Sequence, residues 1–252
     1  MDVKPFARRA IVAVEQVLAA RVDRIVLISL YEEARAREVG IGGDRLRTVA
    51  NGISAIPPSV IPADWSDPRL KILFVGRFDR QKGLDVLLAA IEPLGDKLTL
   101  RTVGAPVVSD VRPSIPPLSF VEHLGWLSRE EVAAQIAACD LLVVPSRWEG
   151  FGLVAIEAMR QGKPVMASAV GGLKEILGSG RFGFSVAAGD PIAWRVALVD
   201  LTRDEMTRRA EAGRERFRQR YTADRMAAKL DLLYAECLAG QAPMPMPVSP
   251  SK

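Results

Sequence analysis

The sequence predicts a doubly wound parallel α/β fold, and three observations lead to that prediction. Short aliphatic and β-branched runs alternate with helical stretches along most of the 252 residues. These runs are apolar throughout, which is typical of parallel strands whose two faces are both covered by helices. A composition of 49% hydrophobic and 25% charged residues is ordinary for a globular chain and excludes a disordered one. The length suits one large domain, or one domain with part of another.

Strands and helices are predicted in a regular order. The apolar runs predict strands at residues 24–29, 46–50, 70–76, 98–103, 119–121, 141–145 and 164–168. The stretches with helical spacing predict helices at residues 6–20, 31–39, 83–91, 129–138, 153–161 and, for a short one, about 172–177. Residues 202–238 are predicted to be helical as well, with a break near Tyr221 and Thr222.

Several helix starts carry their own signals. Pro5 stands at the beginning of the first helical stretch, where a proline is tolerated. Ser128 with Glu131, and Thr202 with Glu205, have the spacing of a capping box, in which a hydroxyl and a carboxylate bond reciprocally to free backbone N–H groups. Residues 240–252 are rich in Pro, Met and Ser, which predicts a disordered tail.

Charge and composition exclude several classes of function. A net charge of +4 is too small to indicate a nucleic-acid-binding protein, and 6% aromatic residues argue against a stacking platform for single strands. Cys139, Cys237 and the single His123 supply neither a disulfide framework nor a zinc site. No apolar run reaches the roughly 18 residues of a membrane span, and Glu15 interrupts what would be the apolar core of a signal peptide. The basic run at residues 208–220 is interpreted as a solvated helix face, the alternative being a patch that faces anionic lipid, substrate or a partner.

A first candidate site follows the strand at residues 70–76. That strand runs into a tight turn at Gly76, and a helix begins near Gly83. Ligands of open α/β sheets bind at the carboxyl ends of the strands, where Arg77 and Lys82 would form a clamp for a diphosphate. The alternative is two solvated cations on a loop. The segment is not a Walker A loop, because Gly83 and Leu84 follow Lys82 instead of Ser or Thr.

A second candidate site follows the strand at residues 141–145. Glu149, Gly150 and Gly152 lie in the loop, and the glycines let backbone N–H groups approach an anion at the start of the next helix. Glu157 lies in that helix, with seven residues between it and Glu149, and carboxylates bind vicinal hydroxyls well. The alternative is a capping role for Glu149 and a solvated or ion-paired Glu157. The rest of the helix is apolar, however, so a carboxylate there needs a partner.

His123 follows a predicted strand and is interpreted as a structural or exposed residue, with a position near a nucleobase as the alternative. The sequence holds no second histidine, no Gly-x-Ser-x-Gly and no His-Glu-x-x-His. Serine-hydrolase and zinc-peptidase chemistry are therefore poorly supported.

Residues 144–159, VPSRWEGFGLVAIEAM, followed by GKPV at 162–165, resemble the Glu-x7-Glu motif of retaining GT-B glycosyltransferases. The nearest match is family 4, the glycosyl transferases of group 1. Further stretches agree with that family in order: ANGI at 50–53, FVGRFDRQKGL at 74–84, LGW at 124–126, GGLKEI at 171–176 and residues 183–190. The resemblance extends over about residues 6–238 and implies Rossmann-like domains.

The resemblance also implies roles in binding a nucleotide-sugar donor. Arg77 and Lys82 would hold the diphosphate and stabilise the leaving group, and Glu149 would lie at the transferred sugar as nucleophile or positioning group. Glu157 would bind the ribose. The remaining donor-binding residues implied are Gly76, Gly104, Leu124, Trp126, Leu127, Gly150, Phe151, Gly152 and Leu153. Neither a metal nor a cofactor is expected, since the nucleotide sugar is a substrate.

The family has two Rossmann-like domains, and the sequence departs from that pattern. Residues 51–239 match the donor-binding domain, whereas residues 1–50 match only the last part of the acceptor-side domain. Two hypotheses follow. In the first, the chain is a cytoplasmic transferase, either free or peripheral at the inner face of the membrane, that needs the missing part or a second subunit to act on a glycan, lipid or small molecule. Alternatively it is a non-catalytic module that binds nucleotide sugars; another GT-B reaction, such as epimerisation, is a weaker third.

Residues 1–50 carry a further prediction. Ile11, Val14 and Leu18 line one face of the first helix, and the two strands that follow have few neighbours to pair with. We therefore expect a second subunit or self-association to cover this face.

Overall fold

A parallel sheet organises most of the chain. The computed structural model describes residues 5–54, 60–106 and 118–239, so the predicted tail at 240–252 lies outside the described residues. The strands are β1 (Ile25–Leu27), β2 (Leu46–Thr48), β3 (Leu70–Val75), β4 (Leu98–Val103), β5 (Val121–His123), β6 (Leu141–Val144), β7 (Val165–Ser168) and β8 (Phe184–Val186). The helices are α1 (Pro5–Ala19), α2 (Leu30–Glu38), α3 (Leu84–Ile91), α4 (Arg129–Ala138), α5 (Leu153–Arg160), α6 (Gly171–Ile176), α7 (Pro191–Val199), α8 (Arg203–Arg220) and α9 (Ala223–Ala239). Short 3₁₀ turns occupy Gly43–Arg45, Glu92–Leu94 and Gly178–Gly180.

The strands β3 to β8 form one sheet, called here the large sheet, in the order β5-β4-β3-β6-β7-β8. Every neighbouring pair in it is parallel. One face packs against residues of α4, α5, α6 and α8, and the other packs against α3 and α7. The predicted doubly wound fold is therefore confirmed, and the order of strands reverses between β3 and β6, where such sheets bind their ligands.

Most of the predicted elements are confirmed, and the exceptions have local causes. The strand predicted at 119–121 is displaced, because pairing with β4 places β5 at Val121–His123. The prediction missed β8, which is only three residues long. It also missed α7, although Asp190 caps that helix by accepting from the N–H groups of Ile192 and Ala193.

The two predicted capping boxes have different outcomes. Both reciprocal bonds form between Ser128 and Glu131. At Thr202 the hydroxyl accepts from the Glu205 N–H, but the Glu205 carboxylate bonds to arginines one turn on, Arg208 and Arg209. The prediction of the second capping box is therefore right for the hydroxyl and wrong for the carboxylate, because the arginines compete for the carboxylate.

Strands β1 and β2 form a separate two-stranded parallel sheet, the small sheet, which joins α1 and α2 in an N-terminal unit at residues 5–50. On α1, Ile11 is 50% exposed, Val14 59% and Leu18 58%, so the predicted apolar face lies open in the described part of the chain. Within these described residues, no helix is both long and apolar enough to cross a membrane.

The chain leaves the N-terminal unit by crossing the junction between α8 and α9. Ile53 N–H donates to the Tyr221 carbonyl at 3.0 Å, and Ala223 N–H donates to the Ile53 carbonyl at 3.1 Å. A Cβ on Gly52 would lie 2.2 Å from the Thr222 oxygen, so a glycine is required for this crossing. The predicted helix break at Tyr221 and Thr222 is confirmed, and residues 52 and 53 pack against it.

Candidate active site

The loops that follow β3 and β6 lie side by side at the carboxyl edge of the large sheet. Arg147 N–H donates to the Gln81 carbonyl at 2.8 Å, and the Gln81 side chain donates to the Trp148 carbonyl at 3.2 Å. Gly83 begins α3 with a φ of +67°, and a Cβ there would lie 2.1 Å from the Pro145 oxygen. The two loops that the sequence singled out are therefore joined through their backbones.

An ion pair joins the two candidate sites. Lys82 Nζ donates to Glu149 Oε2 at 2.6 Å, and the side chains are only 21% and 12% exposed. The hydroxyl of Ser146, which is fully buried, donates to the same oxygen at 3.3 Å. Partial burial strengthens such a pair, because water screens it less. The structure thus brings the predicted cation and the predicted carboxylate into direct contact.

Arg77 lies beside this pair and is more open to solvent. Its guanidinium is 3.1 Å from Asp79 Oδ2 and donates to Gln81 Oε1 at 3.0 Å. Asp79 also accepts from the Lys82 N–H at 3.0 Å, so it fixes the loop between the two cations. Both cations have acidic or amide partners that an anionic ligand would replace.

The backbone of Glu149 is held from the side of α6. Its carbonyl accepts from the Gly172 N–H at 3.1 Å. A Cβ on Gly171, whose φ is +48°, would lie only 1.8 Å from that carbonyl oxygen. The close approach of the 149 and 171 backbones therefore depends on a glycine.

The residues after Glu149 lead into α5. Gly152 is the N-cap with a φ of +106°, and Leu153, the first helical residue, is 48% exposed. Phe151 is buried and packs edge-to-face on Tyr221 with the ring centroids 5.8 Å apart. Its side chain anchors the loop in the core, which leaves the backbone of this loop as the part that can face a ligand.

Glu157 is half-buried on α5, and burial raises the pKa of its carboxyl above the ordinary range. Arg160 and Arg129 oppose that rise through their charges. Within the part of the chain that the structure describes, no hydrogen bond or ion pair within 4 Å satisfies this carboxylate. Its oxygens are not among the buried side-chain atoms of the described residues that lack a partner, so they are open to a ligand or to solvent. The assignment of Glu157 to a ribose stays a prediction.

Glycines line the edge next to β4. Gly76 N–H donates to the Val103 carbonyl at 2.9 Å, and Gly104 N–H donates to the Gly125 carbonyl at 2.8 Å. Gly104 has a φ of +129°, and a Cβ on it would lie 2.0 Å from the Gly76 oxygen. The turns after β3, β4 and β5 are therefore packed backbone against backbone.

In residues 124–127, which follow β5, the side chains differ in their exposure to solvent. Leu124 and Leu127 are partly buried against the core, whereas Trp126 is 69% exposed. His123 is exposed, its Nδ1 lies 2.6 Å from Thr102 Oγ1, and its ring centroid is 6.0 Å from that of Phe78. The assignment of these residues to a nucleobase stays a prediction, although they lie on the same edge as Gly76 and Gly104.

Sequence reasoning missed two groups near Glu149. Ser146, which bonds to Glu149, lies in the quoted motif but had no role assigned to it. Ser29 and Glu32 reach the same loop from the N-terminal unit. A serine just before a helix that carries an acidic residue in its first turn is an N-cap signal, and it could have drawn attention to Ser29. Among the described residues, no group of three or more His, Cys, Asp or Glu side chains is arranged to hold a metal ion.

Comparisons with known proteins show the family of the chain and its fold. The profile of the family described as glycosyl transferases group 1 matches residues 69–204. A 41.2 kDa uncharacterized protein from the cps region of Klebsiella pneumoniae is 35% identical over 194 residues, which are 74% of this chain and 54% of that protein. A D-inositol 3-phosphate glycosyltransferase of Xylanimonas cellulosilytica is 33% identical over 262 residues, or 92% of this chain and 61% of that protein. The chain thus spans a little over half the length of these curated relatives.

Solved structures give the same result for the fold. A sucrose-phosphate synthase from Thermosynechococcus elongatus superimposes with a TM-score of 0.79 at 27% identity, covering 92% of this chain and 63% of that one. HepE of Anabaena, solved in complex with UDP and glucose, gives 0.77 at 21% identity and covers 92% and 67%. At that identity the second likeness shows the fold alone.

Proposed function

Because this chain belongs to the glycosyl transferases group 1 family, we propose that it binds a nucleoside-diphosphate sugar between the loops after β3 and β6. It transfers the hexosyl group to an acceptor with retention of configuration and without a metal ion. The observation that carries this proposal is the 2.6 Å contact between Lys82 and Glu149, which unites the predicted diphosphate clamp with the predicted sugar carboxylate.

In this proposal Lys82 and Arg77 stabilise the leaving nucleoside diphosphate. Negative charge grows on the diphosphate as the bond to the sugar breaks, and fixed cations lower the energy of that transition state. Both are held in place by carboxylate partners, Glu149 for Lys82 and Asp79 for Arg77. Donor binding exchanges these partners for phosphate oxygens. The cationic side chains thereby do the work that a divalent metal does in other transferases.

Glu149 orients the transferred sugar. Its backbone is held by Gly172 and its side chain by Ser146, and both contacts remain when Lys82 turns to the phosphate, so the carboxylate presents its oxygens from a fixed loop. Sugar hydroxyls donate to it, and the N–H groups of the following residues bind the sugar and phosphate oxygens. The acceptor attacks on the face from which the leaving group departs. Glu149 and Glu157 are accordingly not the acid and nucleophile of a glycosidase.

Glu157 binds the two ribose hydroxyls of the donor. Hydrogen bonds from hydroxyls favour the charged carboxylate and would offset the burial that raises its pKa in the free protein. UDP is the first nucleotide to test, because the Anabaena HepE structure contains it. The acceptor is a glycan, a lipid or a small molecule.

A non-catalytic module that binds nucleotide sugars is the second candidate. Both candidate functions use the same donor site, so donor binding is measured first and sugar transfer second.

The test is calorimetric titration of UDP, GDP, ADP and their common sugar conjugates into the wild type and Glu157→Ala. Glu215→Ala, on the exposed face of α8, is the matched control. We expect one nucleotide to bind, Glu157→Ala to lose at least about tenfold in affinity, and Glu215→Ala to bind as the wild type does. Absence of binding by the folded wild type would overturn the proposal. Release of sugar from the bound donor, followed over hours, then separates an active transferase from a binding module.

A further inference from the structure

The start of α2 contacts the loop that carries Glu149. Ser29, the N-cap of α2, is only 1% exposed. Its hydroxyl accepts from the Glu32 N–H at 3.2 Å and donates to the Gly150 carbonyl at 3.0 Å. One hydroxyl thus caps a helix of the N-terminal unit and binds the candidate site, 121 residues further along the chain.

Two further contacts join the start of α2 to the Glu149 loop and to α6. Glu32 Oε2 accepts from the Ile28 N–H at 3.3 Å, and its Oε1 lies 2.8 Å from where a Cβ on Gly150 would be. Leu30 N–H donates to Glu175 Oε2 on α6 at 2.9 Å. Gly172 at the start of α6 holds the carbonyl of the peptide between residues 149 and 150. Ser29 holds the carbonyl of the next peptide, between residues 150 and 151. Two successive peptides of the loop are therefore fixed, one by α6 and one by the N-terminal unit.

We infer that Ser29 is a positioning residue for the transferred sugar, acting through the carbonyl of Gly150. The inference rests on the proposed function, in which the residues from Glu149 to Leu153 bind the sugar. A fixed Gly150 carbonyl sets the direction of the backbone N–H groups that follow it. The N-terminal unit thereby determines the geometry of the sugar end of the donor site, and not of its nucleotide end.

Loss of the Ser29 hydroxyl has a specific consequence. The Gly150 carbonyl loses its donor, and the loop gains freedom next to the sugar. The nucleotide end of the site depends on Glu157, Arg77 and Lys82, and among the described residues the Ser29 hydroxyl bonds to Glu32 and Gly150 instead. A net hydrogen bond corresponds to about 3- to 10-fold in affinity, so the sugar conjugate is expected to bind about 3- to 10-fold more weakly while the free nucleotide binds unchanged.

The experiment compares Ser29→Ala and Ser29→Gly with Thr202→Ala. Glycine is a nearly neutral replacement at an N-cap, so Ser29→Gly removes the hydroxyl with little cost to α2 if the alanine variant folds poorly. Thr202 is the N-cap of α8 and bonds to the Glu205 N–H, so its variant loses a cap but no contact with the site. Calorimetry measures the affinity for the nucleotide and for its sugar conjugate, and hydrogen exchange measures amide protection at residues 149–153.

A selective loss of affinity for the sugar conjugate in both Ser29 variants, absent from Thr202→Ala, is the expected result. Equal losses for nucleotide and conjugate, no loss, or the same loss in Thr202→Ala would overturn the inference. If the wild type binds no nucleotide, the proposed function fails and hydrogen exchange decides the contact by itself. Faster exchange at residues 149–153 in the Ser29 variants alone then supports a positioning contact, and unchanged exchange rejects it.

Discussion

The large sheet and the small sheet are built from the same alternation of strand and helix, yet they differ in what they bury. Leu142, in the middle of the large sheet, is fully buried, whereas Val26 in the small sheet is 42% exposed. The large sheet has helices on both faces, and the small one has a single pairing, β1 with β2. Apolar strands are therefore buried only where other strands pair with them and helices cover both faces of the sheet.

The two regions also differ in their relation to the site. The loops after β3 and β6 of the large sheet hold Lys82 and Glu149, and α5, which follows the second loop, holds Glu157. The N-terminal unit reaches the second of these loops from the start of α2, where Ser29 bonds to Gly150. Substitutions matched between the two regions test whether this division is real.

The largest difference in the free energy of unfolding is expected between alanine substitutions at two glycines that share a backbone conformation but have different surroundings. Gly171 and Gly43 both have a φ of +48°, but a Cβ on Gly171 would lie 1.8 Å from the Glu149 oxygen and one on Gly43 meets nothing within 4 Å. Gly43→Ala is expected to cost about 1 kcal/mol, from the left-handed conformation alone. Gly171→Ala is expected to cost about 4 kcal/mol or more, because a backbone oxygen cannot move aside.

Urea unfolding followed by far-ultraviolet circular dichroism measures both variants. Equal losses of stability would show that the contact between residues 149 and 171 is looser than the structure has it. Donor affinity in a folded Gly171→Ala is expected to fall as well, since the Glu149 backbone must shift.

The next largest difference in the free energy of unfolding is expected between two leucine-to-alanine substitutions, one in each region. Leu142→Ala leaves a cavity between two covered faces and is expected to cost about 2–5 kcal/mol. Leu18→Ala removes a side chain that is 58% exposed and is expected to change the free energy of unfolding by less than about 0.5 kcal/mol. The measurement is the midpoint of urea unfolding for each variant. A cost above about 1 kcal/mol for Leu18→Ala would mean that something covers α1 in solution.

A smaller effect, of opposite sign, is expected at Glu157. Burial raises the pKa of this carboxyl, so the folded protein keeps its proton at pH values where the unfolded chain has lost it. The free energy of unfolding therefore falls as pH rises from the ordinary value of 4.5 to the raised one. Glu157→Gln escapes that loss and is expected to stabilise the ligand-free protein at pH 7 by about 1 kcal/mol, or roughly 2–4 °C.

Thermal unfolding of the wild type and Glu157→Gln between pH 4 and pH 8 checks this prediction. The two midpoints should converge at the acidic end and separate as pH rises. A constant difference would refute the assignment to the carboxyl. The gain in stability should accompany a loss of nucleotide affinity, as expected where a binding group is held at a cost to the fold.

The smallest change in stability, and the most visible change in assembly, is expected on the apolar face of α1. Leu18→Glu adds a charge beside Val14 and is expected to leave the unfolding midpoint within about 0.5 kcal/mol of the wild type. It should lower the mass-average sedimentation coefficient at high protein concentration if this face self-associates. A wild type that stays monodisperse and monomeric would contradict the predicted association.

Much of the fold was readable from local sequence. The strand that ends at Gly76, the helix that follows Gly83 and the break at Tyr221 all lie close to where the residues predicted them. A strand of three residues such as β8 is too short to show a hydrophobic pattern in the sequence. The bounds of β5 were set by its pairing with β4, which local sequence does not contain. The residue types of the site were also readable, since Arg77, Lys82, Glu149 and Glu157 stand out from their apolar neighbours.

Local sequence sufficed to predict the alternation of strands and helices, the loops that follow β3 and β6, and the candidate donor residues in and beside those loops. These depend on local properties, which a window of neighbouring residues contains. Only the tertiary structure decided that Lys82 contacts Glu149, that burial raises the pKa of Glu157, and that Ser29 holds Gly150. Each of these depends on the distance between residues far apart in the chain, and that distance is fixed only when the strands have paired and the faces of the sheet are covered.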